Sequence, residues 1–148
     1  MFGVLKNLLM RPRVQRVDTF PDPELGMLRW SEDTDNWVVS VSANDHAIGF
    51  QIGGEPEPDP ALLAHARDIT RALPEFVSLV SAFLAAEAAR RSMATWADEI
   101  RLLEIEDVCL FWPERPDDGM IYFQDVDSGL VWRCDYIDRK PTSLGFDS

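Results

Sequence analysis

From Trp37 to Ile52 the chain alternates apolar and polar positions. Trp37, Val39 and Val41 fall on one side of an extended segment, and Ile48, Phe50 and Ile52 on one side of the next. A period of two is what a strand needs when one face is buried and the other is wet. Ala43, Asn44 and Asp45 between the two rows are turn chemistry, so the pattern predicts a hairpin. Upstream, Val14 to Phe20 predicts a first strand stopped by Pro21, Asp22 and Pro23. Glu24 to Trp30 predicts a second.

The period then changes. Gly53 to Pro60 is a Gly/Pro/acid linker; it lacks the Gly-Lys-Ser/Thr ending of a phosphate loop and the dinucleotide spacing. Asp59 followed by Pro60 reads as an N-cap with proline at the first helical position. Leu62, Ala66, Ile69 and Leu73 form one stripe at helical spacing. Pro74 opens a second helix, with Phe76, Leu79, Val80, Phe83 and Leu84 as its stripe and an alanine-rich end that favours helix. Thr95 to Glu99 resembles a capping box before a third, short helix reaching Leu103.

The last third, Glu104 to Phe146, reads as three apolar-aromatic segments separated by two acidic turns. This pattern predicts a three-stranded antiparallel meander. In its third strand Trp132, Cys134 and Tyr136 share one face and Arg133, Asp135 and Ile137 the other. Arg133, among so many acids, reads as a cross-strand charge partner. Strands, then helices, then strands indicate an α+β fold. The expected architecture is an antiparallel sheet, built from N-terminal strands, a hairpin and the C-terminal meander, with two to three helices packed on one face.

Composition narrows the picture. The chain has 148 residues, 46% of them hydrophobic and 10% aromatic, which fits one globular domain with a core of its own. The division expected is a basic N-terminal segment with the first strand over 1–23, and a single α+β domain over 24–148. Residues 1–17 carry Lys6, Arg11, Arg13 and Arg16 and no acid. The remainder holds 10 basic and 26 acidic residues, within a formal net charge of -12 overall. Such a field repels phosphate backbones and attracts basic proteins, so nucleic acid is not expected as a ligand and a basic protein partner is. No run of about 18 apolar residues exists to span a membrane. Lys6 and Asn7 interrupt the N-terminal apolar run, and no small-residue cleavage site follows. Phe2, Leu5, Leu8 and Leu9 form one side of a short amphipathic stretch that can dock on the domain, a membrane surface or a partner. Cys109 and Cys134 make neither a disulfide framework nor a zinc quartet and suit a reducing, cytoplasmic setting.

Candidate chemistry is sparse. His46 and His65 are the only histidines, and neither has a second ligand at metal spacing. No nucleophile elbow or reactive cysteine motif is present, and no cofactor motif. The exposed acid gathers in two turns, Glu114, Asp117 and Asp118 in the first, Asp125 and Asp127 in the second. Asp125 to Gly129 looks like the start of a calcium loop, but the later ligands are missing and strand residues follow at once. Asp118-Gly119 and Ser128-Gly129 are hairpin-turn chemistry. These acids are therefore candidate partner-binding turns, and no catalytic, cofactor-binding or metal-ligating residue is assigned.

The pattern formed by Glu24–Leu28, the segment Trp37–Val41, the helical Pro74–Leu84 and the closing runs Met120–Phe123, Val131–Tyr136 and Leu144–Asp147 resembles uncharacterised bacterial families of small α+β domains. Some of those families contain immunity-type proteins found beside polymorphic toxins. The resemblance covers about residues 24–147 and implies a non-enzymatic interaction module, including an inhibitor of a basic protein. Two further readings stand beside it. One is a small-ligand binder or enzyme with a cleft between sheet and helices. The other is a homo-oligomeric structural subunit that associates through exposed aromatics.

Overall fold

The computed structural model describes residues 18–43, 45–91, 94–124 and 126–147, with the side chains of 94 and 95 outside that description. The amphipathic stretch at Phe2 to Leu9, the first part of the strand expected from Val14, the turn residue Asn44 and the acidic Asp125 all lie outside the described residues.

The elements run β1 (Thr19–Asp22), β2 (Gly26–Ser31), β3 (Asn36–Ala43), β4 (His46–Ile52), α1 (Pro60–Arg71), α2 (Leu73–Arg90), α3 (Ala94–Arg101), β5 (Ile105–Leu110), β6 (Gly119–Phe123), β7 (Val131–Ile137) and β8 (Lys140–Asp147). The fold is α+β, as the order of periodicities predicts. All eight strands form one sheet whose spatial order is the chain order. Every pairing is antiparallel except β4 with β5, which run parallel because three helices separate them in sequence.

Two local expectations change. The C-terminal block has four strands rather than three, since β8 adds to β7 from Val131↔Asp147 to Ile137↔Lys140. The joining turn uses Asp138 at φ 50° and Arg139 at φ 62°. A tight hairpin turn wants positive φ at its centre, and here that is met without glycine, which removes the usual signal. Pro21 does not stop the first strand; it lies within β1, at the sheet edge, where a missing N–H costs no ladder bond. The cap expected at Thr95 lies outside the described side chains; α3 is described from Ala94. The Glu99 carboxylate accepts the Trp132 indole N–H at 2.6 Å.

The Asp59 cap is as expected: its carboxylate accepts the N–H groups of Ala61 at 3.0 Å and Leu62 at 3.1 Å, with Pro60 opening the helix. The following helix turns away by 87° at Ala72. No single helix among the described residues is long and apolar enough to cross a membrane.

The alternating rows meet in register. Trp37, Val39 and Val41 on β3 oppose Ile52, Phe50 and Ile48 on β4, and Phe50 and Ile52 lie beside Val108 and Leu110 on β5. Ile121, Cys134 and Leu144 continue the same row across β6, β7 and β8. Leu62, Ala66, Ile69, Leu73, Phe76, Val80 and Leu84 cover it from the helices, all buried. Leu79, from the same expected stripe, is 41% exposed instead.

Seven steps of about 4.8 Å would make a flat sheet roughly 34 Å wide. Yet α1, about 10 Å across with its side chains, reaches both flanks. Arg71 bonds Glu24 in the β1–β2 turn at 2.7 Å and Asp68 at 3.3 Å. Asp68 bonds Arg139 in the β7–β8 turn at 3.1 Å, and Arg139 bonds Asp117 in the β5–β6 loop at 2.7 Å. The sheet is therefore curled around α1, and this chain of charges joins its two sides.

Candidate functional site

Beside the helices the molecule has two contrasting regions. The first surrounds His65, which is 1% exposed. A carbonyl can only accept, so His65 Nδ1–H donates to Pro116 C=O at 2.5 Å, and the Tyr136 O–H then donates to Nε2 at 3.3 Å. The two rings stack at 5.6 Å. Burial pulls the His65 pKa down, against the lift from the Pro116 hydrogen bond, so the ring is held neutral. Burial likewise pushes the Tyr136 phenol up to about 12. Every polar atom here has a structural partner.

The acidic turns are placed as follows. Asp117 is bound by Arg139, whose hydrogen bond and charge hold its carboxyl below the usual range. Asp118 accepts the Asp138 backbone N–H at 3.0 Å. These two acids brace the neighbouring turn, each through one carboxylate oxygen. Glu114 and Asp127 are exposed. They lie at opposite ends of β6, because β5–β6 and β6–β7 are both antiparallel. The two turns therefore do not converge.

Arg133 donates to Asp147 on β8 at 3.2 Å, the cross-strand partnership its setting predicts. Both cysteines are free and buried, and burial pushes each thiol up to about 12. They pack as small apolar groups. Among the described residues no group of three or more His, Cys, Asp or Glu could hold a metal ion.

The second region is a cleft of about 820 Å³ between α2, the β3–β4 hairpin and the segment entering β5. Its apolar floor is made by Ile48, Val77, Val80, Leu84 and Leu103. Ser78 and Ser81 on α2 are too small to fill the gap, and Ser42 faces it from the hairpin. Asp45, His46 and Glu104 complete the lining, with no Lys or Arg among the described lining residues.

His46 sets the geometry of this mouth. Its Nε2–H donates to Ile105 C=O at 2.6 Å, tying the start of β4 to the start of β5. That leaves Nδ1 facing the Gln124 amide at 3.4 Å and the Glu104 carboxylate at 3.5 Å. In the tautomer that carries its hydrogen on Nε2, Nδ1 is an acceptor and is served by the Gln124 N–H. Glu104 then has a carboxylate, 63% exposed, with no Lys or Arg bonded to it among the described residues. Asp45 is also exposed and has no ion pair among the described residues.

The sequence offered a cleft between sheet and helices only as an alternative reading and assigned none of its residues. They come from three separate stretches, 42–48, 70–84 and 103–105, and share no motif; only the pair of small residues at Ser78 and Ser81, on a helix otherwise apolar on that side, hinted at an unfilled place. Compared with known proteins, the chain matches no family model, no curated protein and no solved structure.

Proposed function

We propose that this chain is a protein-interaction module that receives a segment of a partner protein in the cleft beside α2. The observation that carries this reading is the cleft itself: an apolar floor, a row of small hydroxyl side chains and a rim of hydrogen-bonding groups, large enough for several side chains. Such grooves seat apolar anchors from a partner while the polar rim fixes their orientation. A binding role is favoured over catalysis because the one imidazole at the cleft is committed to tying two strands together. An immunity-type inhibitor is the special case in which the partner is a basic toxin, and the acid excess agrees with that sign.

Affinity capture from extracts of the native host tests this. Tagged full-length protein is compared with Ser81→Trp, which puts an indole into the cleft from an exposed helical position. The expected result is a protein retained by the wild type and lost by the variant, both being equally folded by circular dichroism. Retention by both would place binding elsewhere and remove the reading.

A further inference from the structure

Resting on that cleft reading, we infer that the occupant presents a cationic side chain, Lys or Arg, flanked by apolar residues, and that Glu104 is the carboxylate that selects it. Three observations combine. The cleft lining has carboxylates at Asp45 and Glu104 and, among the described residues, no cation of its own. Elsewhere in the fold several acids are met by arginines, Asp22 by Arg67, Glu24 by Arg71 and Asp117 by Arg139 among them. Neither carboxylate at the cleft has such an arginine among the described residues, a state they share with other surface acids such as Glu75 and Glu114. Finally, His46 is oriented by its bond to Ile105, and the Gln124 amide serves its other nitrogen. Glu104 has the His46 ring beside it at 3.5 Å and no Lys or Arg among the described residues, and its exposed carboxylate faces solvent, where a donor can arrive from outside.

The apolar floor supplies the second half of the recognition. Val77, half-buried, and the exposed Pro74 on α2 suit an aliphatic or aromatic side chain beside the cation; Ile48, Leu84 and Leu103 behind them are already buried. A guanidinium or ammonium at the rim keeps part of its hydration, so its desolvation cost is small. It gains a carboxylate partner at modest strength, as exposed pairs do. The apolar contacts then supply most of the affinity, and the charge supplies the choice between sequences.

The test uses the full chain and two blocked tripeptides, acetyl-Leu-Arg-Leu-amide and acetyl-Leu-Gln-Leu-amide, followed by amide chemical shifts in nuclear magnetic resonance. The arginine peptide should move the signals of Ala43, Asp45, Ser81 and Glu104. It should bind about threefold more tightly than the glutamine peptide at low ionic strength, the size expected of one exposed pair. Glu104→Gln, a change at an exposed side chain, should erase that preference while leaving the glutamine peptide unaffected. High salt should erase it as well. Equal binding of both peptides to the wild type overturns the cationic selection and leaves the cleft reading standing. A preference that survives in Glu104→Gln overturns the role given to that residue. Shifts from neither peptide count against the cleft as a peptide site and take this inference with it.

Discussion

The His65 region and the α2 cleft border the same helices and have been solved in opposite ways. Around His65 a buried imidazole, a buried phenol, a backbone carbonyl and a chain of alternating charges satisfy one another. Around His46 an imidazole also ties two segments together, yet the carboxylates beside it are exposed and a cleft stands open behind it. The same residue types serve closure in one place and are left open in the other. Closure holds the curled sheet to α1, so what remains open is available for recognition without cost to the fold.

The largest test of this contrast is His65→Ala. It removes a buried ring and orphans the Pro116 carbonyl and the Tyr136 hydroxyl, for an expected loss of about 3 kcal/mol in urea unfolding. A loss below about 1 kcal/mol would mean that the region is not the clasp described here.

A second effect follows from the neutral ring. The unfolded chain takes up a proton on this histidine near its ordinary value of about 6.5, whereas the folded chain resists until a lower pH. Stability from this group is therefore full above that range and is lost as pH falls through the lowered folded value. Unfolding free energies measured from neutral to mildly acidic pH should show this slope, and His65→Gln should flatten it. An unchanged slope in the variant would assign it to another group.

Smaller still is Arg139→Ala, which cuts the link between Asp68 and Asp117. Arg139 is 46% exposed, so solvent screens the pair and the expected loss is below about 1 kcal/mol, shrinking further with salt. Unfolding curves at two ionic strengths would show it; a salt-independent loss would point to packing of the arginine stem instead.

The smallest stability effect is expected at the cleft. Ser81→Leu should change folding free energy by no more than about 0.5 kcal/mol, because the side chain extends into open space. A large destabilisation there would show that the cleft is less empty than its volume indicates.

Much of the frame was legible in the chain. Strict alternation on β3 and β4 placed every core residue of that hairpin, and Asp59-Pro60 marked a helix start to the residue. The face assignment of Trp132, Cys134 and Tyr136 followed from period two alone, and all three are buried. What escaped depended on long-range geometry. The β7–β8 turn has positive φ at Asp138 and Arg139, residues that also suit ordinary loops. Asp117 looked like free charge because its partner Arg139 is 22 positions away. His65 gave no sign of burial, since its partners come from a loop and a distant strand. A cleft between sheet and helices was one reading, but its lining was illegible for the same reason: no local pattern records a place that side chains fail to fill.

Gly49 shows how tightly the open face of the sheet is also specified. A Cβ there would lie 2.1 Å from the Asp107 carboxylate, which Gln51 holds at 3.3 Å. That contact lies on the β4–β5 seam, the one place where consecutive strands are joined through the helices rather than by a turn or short loop. Either half of the sheet can zip up strand by strand from short turns, so the slow event in folding should be closing the roughly 50-residue excursion through the helices that brings β5 to β4. A side chain at position 49 would then act on the rate of refolding as well as on its end point, and stopped-flow kinetics of Gly49→Ala would read the order in which the two halves come together.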